Sequence, residues 1–157
     1  MQMIKVLSRK AHKMVTDPKF VARLKQSPTI VRSYDIPYVA GYSKDGKTVY
    51  VDRHYKKMMG NVNTEPFVVL HEMTEKALLD LYGLNYQQAH HIATHVERNK
   101  VRQAGISWDK YETFVENQYK HIGHEKLVSV PKDLDLEPYQ DEHDGRELKQ
   151  LKQLMKR

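Results

Sequence analysis

The stretch Val68-Val69-Leu70-His71-Glu72-Met73-Thr74-Glu75-Lys76-Ala77-Leu78 decides how this chain is read. His71 and Glu75 stand four residues apart, which on a helix places both on one face and within reach of a common point. Glu72 lies about 100° around the same helix, where a carboxylate can serve as general base to whatever that point holds. The helix has clear ends. Thr64-Glu65-Pro66 opens it with Thr64 as the cap, and Gly83 stops it after Tyr82.

A helical wheel gives this element two apolar sides. Val69, Leu70, Met73, Ala77 and Leu81 form one; His71, Glu75, Leu78 and Tyr82 form the other, flanked by Val68 and Leu79. Only Asp80, Lys76 and their neighbours read as wet. His71 and Glu75 therefore fall in a partly buried strip, where an ionisable group needs a partner.

The next helix supplies partners. Asn85 caps it, it runs from Tyr86 to about Gln103, and Gly105 closes it. Ala89, Ile92, Ala93 and Val96 mark its core side. His90, Thr94, Glu97 and Val101 share another face, while His91 and His95 point toward solvent. The short Gly83-Leu84-Asn85 link implies antiparallel packing, so that His71, Glu75, His90 and Glu97 converge. Two nitrogens and two carboxylates suit Zn²⁺, or another divalent transition metal such as Fe²⁺ or Mn²⁺. Without metal, the same four groups would form a buried network that locks the two helices together.

The order of elements resembles the minimal zincin arrangement: a small sheet, a helix carrying His-Glu, then a helix with a further ligand. The likeness covers Ile36 to Gly105. Zincins carry His-Glu-x-x-His, and this chain departs from them at Glu75. The resemblance implies zinc on His71 with Glu97 as the ligand from the following helix, Glu72 as catalytic base, and hydrolysis of a peptide or related amide. A carboxylate at position 75 lowers the charge and Lewis acidity of such a site. The segments His71 to Leu78 and Tyr86 to His90 are also similar to His-Glu-x-x-Glu-Lys-Ala-Leu and Tyr-x-x-Ala-His segments in small proteins of bacteria and their phages. That likeness implies a phage or prophage setting, with phage structural proteins as partners and a place in the virion.

Elsewhere the chain reads as α+β: a small antiparallel sheet built on a β-hairpin, packed with three main helices in a zincin-like arrangement. Asp17-Pro18 starts a short helix ended by Ser27-Pro28. The runs Ile36 to Tyr42 and Lys47 to Arg53 flank Ser43-Lys44-Asp45-Gly46, a hairpin signal. Thr29 to Ser33 can add a third strand, and an extended peptide substrate would join at the hairpin's edge. Ser107 caps a third helix containing Trp108, Tyr111, Val115 and Ile122. Residues 1–138 read as one α+β domain, and 139–157 as a charged tail of helical character with Leu148, Leu151 and Leu154 as its narrow apolar stripe.

With 157 residues the chain is long enough to bury a core. No apolar run reaches the roughly 20 residues of a membrane span, and the basic N-terminus does not read as a signal peptide. The absence of cysteine excludes disulfides and thiolate ligands and suits the cytoplasm. A net charge of +6 and a pI near 9.3 favour weak contact with nucleic acid. Lesser features include His121 and His124 beside Glu125, which read as capping or surface solvation, and His54 after the hairpin. Tyr38, Tyr42 and Tyr50 can stack on bases or pack the sheet. Three functional readings follow: a metal-dependent hydrolase, a non-enzymatic phage accessory or virion protein, and a basic nucleic-acid-associated factor.

Overall fold

A computed structural model of the chain describes residues 8–123, 127–141 and 145–156. Among them are seven helices, a mixed sheet of three strands and a two-stranded sheet. Helix α1 (Arg9–Thr16) and α2 (Pro18–Lys25) precede β1 (Thr29–Val31), β2 (Ala40–Tyr42) and β3 (Thr48–Val51). A small hairpin, β4 (Met58–Met59) and β5 (Val62–Asn63), leads into α3 (Glu65–Tyr82). Then come α4 (Tyr86–Gln103), α5 (Trp108–Gly123), α6 (Glu137–Asp141) and α7 (Gly145–Met155).

The helix boundaries follow their caps. Asp17 accepts from the Lys19 amide with Pro18 in the first turn of α2. Gly83 ends α3 at φ 61°, a left-handed conformation that a side chain would disfavour. Asn85 and Gln88 form a reciprocal capping box at the start of α4. Thr64 differs from expectation. Its hydroxyl is spent on the Lys57 carbonyl at 2.6 Å and on the Tyr55 hydroxyl, so it gives α3 no side-chain cap. Ahead of Asp17 the basic segment Arg9–Thr16 is itself a helix, α1, capped by Ser8.

The sheet corrects the expected antiparallel one. Strand β2 pairs antiparallel with β3, Ala40 opposite Val51 and Tyr42 opposite Val49, but β1 runs parallel to β3. Nor does the hairpin strand begin at Ile36. The Ile36 amide donates to Asp52 Oδ1 at 2.7 Å, and Tyr38 and Val39 turn left-handed at φ 62° and 83°. For a β-branched residue that conformation carries strain of roughly 1–3 kcal/mol. It is held by the Asp52 amide, which donates to the Val39 carbonyl at 2.8 Å, and by stacking of Tyr38 between Tyr119 and Tyr139.

Strand alternation then fixes the layers. Ala40, Tyr42, Val49 and Val51 face α3, where Val68, Val69, Ala77 and Leu78 complete the core with Phe20, Ala89 and Ile92. Tyr50 faces the other way, onto Ile36, Leu134, Tyr139 and the fully buried Leu151 of α7. The apolar stripe of the C-terminal tail thus docks beneath the sheet. Lys76 is not wet as the wheel suggests. It is buried, with Nζ 2.9 Å from Asp135 and 3.1 Å from Asp80.

Asp35 staples the returning chain to this core. Its carboxylate accepts from the amides of Val128 and Ser129 at 2.8 and 2.9 Å and from Arg53 Nε at 2.6 Å. Burial works against its charge, but those donors outweigh burial and set its pKa below the usual value. A depressed carboxylate stabilises the fold above its unfolded pKa and ceases to do so as pH falls through the folded one. Asp35→Asn is therefore expected to lose about 2 kcal/mol near neutral pH. In urea titrations from pH 7 to pH 2.5 the difference should shrink toward the acid end.

Candidate metal centre

Helices α3 and α4 pack antiparallel, as their short link demands, and bring all four expected side chains together. His71 Nε2 lies 3.2 Å from Glu75 Oε2 and 3.2 Å from His90 Nδ1, and His90 Nδ1 lies 3.0 Å from Glu75 Oε2. These three atoms form a nearly equilateral triangle. A tetrahedral ion holding nitrogen and oxygen ligands at about 2.0–2.1 Å keeps them about 3.3 Å apart, close to the spacing seen.

Glu97 occupies another place. Its Oε1 lies 2.8 Å from His71 Nδ1, the ring nitrogen turned away from the triangle, and its Oε2 accepts from the Tyr111 hydroxyl. The following helix thus brings His90, not Glu97, to the common point. A carboxylate on Nδ1 fixes the ring's orientation and tautomer and makes Nε2 a better donor, the usual arrangement behind a metal-bound histidine.

Glu75 is the hub. It is buried and accepts from the Tyr42 hydroxyl at 2.6 Å as well as from the two imidazoles. Burial opposes its charge, yet hydrogen bonds from His71, His90 and Tyr42 and the charge of His71 hold its pKa down at about 2. For His71 burial likewise disfavours the cation, and Glu97 with Glu75 more than reverses this, raising its pKa well above the usual value. Burial and the nearby glutamate charges keep the Tyr42 and Tyr111 hydroxyls protonated, hence obligate donors here. Wheel positions do not reveal these tyrosines, which arrive from a strand and from α5 with no fixed spacing to the helices they meet.

Beside the triangle opens a cavity of about 370 Å³, lined in part by His71, Glu72, His90, Tyr86 and Trp108. Glu72 has no hydrogen-bond partner among the described residues, and burial with the charge of Glu75 pushes its pKa up to about 8. A carboxyl so poised is a candidate acid or base near neutral pH. It also opposes folding. Between the unfolded value and about 8 the native state holds a proton the unfolded chain has lost, so stability falls as pH rises. In the metal-free protein Glu72→Gln is expected to match the parent at pH 4.5. It should exceed the parent in melting temperature by a margin that grows to pH 8 and then levels.

The remaining candidates lie elsewhere. His54 stands with Asp35 and Asp52, whose carboxylate oxygens already accept from backbone amides and Arg53. His121 is exposed at the end of α5, and His124 and Glu125 lie outside the described residues. The hairpin edge expected to receive a substrate strand is paired from Tyr42 to Lys44, while Ala40 at its other end lines the cavity. The Asp135 amide donates to the Tyr42 carbonyl at 2.9 Å and the Lys44 amide to the Asp133 carbonyl at 2.8 Å.

Comparison with protein-family models, with curated proteins and with solved structures finds no match to this chain. Among the described residues no helix is long and apolar enough to cross a membrane.

Proposed function

We propose that His71, Glu75 and His90 bind a divalent transition metal, zinc by preference, and that the protein is a metal-dependent hydrolase of peptide or related amide bonds on a zincin-like scaffold. One observation carries this reading: three ligand atoms from two helices stand 3.0–3.2 Å from one another, with two of their side chains lining a cavity. The nitrogen–nitrogen contact supports it further. If both imidazoles donate to Glu75, their nitrogens gain nothing from lying 3.2 Å apart, whereas converging lone pairs need that spacing.

Zinc would supply Lewis acidity toward a substrate carbonyl when bound. The chain's own residues supply the rest. Glu97 orients His71 and is itself held by Tyr111, and Tyr42 orients Glu75. Glu72, in the cavity wall, is the group placed to take a proton from a nucleophile and return it to the leaving amine. With an anionic ligand where zincins have a neutral imidazole, turnover should be slow.

A second reading has its own support. The contacts within the cluster are all of hydrogen-bond length, so the cluster can act as an interhelical lock in a non-enzymatic protein, a phage accessory or virion component included. Elemental analysis of protein purified without chelator, followed by zinc titration, separates the two. The metal reading expects one equivalent in the wild type and none in His90→Ala, whose side chain is half exposed and dispensable to the core. No stoichiometric zinc in the wild type would leave the lock.

A further inference from the structure

The cavity beside the triangle is acidic in a basic protein. Glu72, Glu97, Glu112 and Glu116 all line it, and no lysine or arginine does, although the chain carries 26 of those cations against 20 acidic residues. Glu97 is engaged by His71 and Tyr111. Glu112 and Glu116, one turn apart on α5, have no ion-pair partner among the described residues. Glu72 and the His71 imidazole share the inner end of the cavity, and Glu112 and Glu116 stand at its exposed end.

The walls between these acids are aromatic. Tyr38, Trp108 and Tyr119 line the same space; Tyr38 is sandwiched between Tyr119 at 5.0 Å and the buried Tyr139 at 5.8 Å, Arg98 lies over the Trp108 ring at 5.2 Å, and Tyr119 is the exposed member. Carboxylates in a cleft of low-dielectric walls concentrate a field that draws in cations and repels anions. Aromatic faces add attraction for a guanidinium or ammonium group and accept its alkyl stem.

We propose that this cleft binds the cationic side chain of a peptide, arginine or lysine, with Glu112 and Glu116 as its charge partners and Tyr119 as its aromatic wall. Placing that side chain next to the amide to be cleaved rests on the hydrolase reading above; the binding of the cation does not. An acidic side chain at the same position would meet like charge and be rejected.

Trp108 is the only tryptophan in the chain and lines the cavity, so its fluorescence reports occupancy directly. The probes are acetyl-Ala-Arg-Ala-amide, its citrulline isostere and n-propylguanidinium, titrated into metal-free and zinc-loaded protein. The arginine peptide is expected to bind at least tenfold more tightly than the citrulline peptide. That advantage should vanish in the Glu112→Gln/Glu116→Gln variant, whose changes are exposed and spare the fold. Equal binding of the two peptides, discrimination that survives the double substitution, or binding of neither peptide would overturn the proposal. Propylguanidinium binding as tightly as the arginine peptide would overturn its assignment to a peptide. Zinc stoichiometry in the same samples keeps the two claims apart: discrimination without zinc binding overturns the hydrolase alone, and zinc binding without discrimination overturns only the cation site.

Discussion

Zinc at a hundredfold excess over its dissociation constant is expected to stabilise the wild-type fold by about 2.7 kcal/mol, the mass-action gain for a ligand that binds only the native state. For a chain of this length that raises the melting temperature by about 5–10 °C. The gain should disappear in His90→Ala and shrink at acid pH. To serve as a ligand His71 must give up the proton that Glu75 and Glu97 hold on it, so uptake releases protons and weakens as their concentration rises. Differential scanning fluorimetry with zinc and with chelator, from pH 5 to pH 8, reads both effects. An unchanged melting temperature across the zinc series, with the wild type and His90→Ala alike, would refute metal binding.

Removing Glu75 should cost more than removing any other member of the cluster. Glu75→Ala strands the Tyr42 hydroxyl and leaves the His71 cation with one carboxylate in place of two, in a part of the core closed to water. Breaking a buried charged pair by deleting one partner costs about 3–5 kcal/mol, and that loss is expected for the metal-free protein in urea denaturation. Tyr42→Phe deletes one donor and should cost about 1–1.5 kcal/mol. In the double variant the two losses should fall short of their sum, since each removes the same contact. A loss below 1 kcal/mol for Glu75→Ala would mean that the cluster is not organised around this carboxylate.

Helices α3 and α4 were legible because their signals are local. Gly83, the Asn85–Gln88 box and Gly105 mark ends within a few residues, and helical spacing assigns His71, Glu75, His90 and Glu97 to faces that meet. Spacing does not say which ring nitrogen a carboxylate will reach, so Glu97 could not be told from a ligand in advance. The burial of Lys76 depends on Asp135, and the parallel pairing of β1 on a strand that arrives after two turns of chain. Neither leaves a trace in local pattern. The hairpin of β4 and β5 does leave one, Gly60-Asn61 between Met58-Met59 and Val62-Asn63, a two-residue turn whose flanks are too short and too weakly apolar to stand out. Helix α1 was obscured by its many cations, which outnumber the few apolar residues it buries.

The link Gly83-Leu84-Asn85 has a consequence for how the site comes into being. All three proposed ligands, the glutamate behind His71 and the candidate base belong to residues 65–103, two helices joined by three residues. Bringing them together closes a very short loop, and the entropy of closure grows only with the logarithm of loop length. Contacts so near in sequence form early and fast. The centre can therefore assemble before the sheet is complete, and ion capture by the nascent hairpin would bias the chain toward its native topology while the C-terminal helix is still unmade.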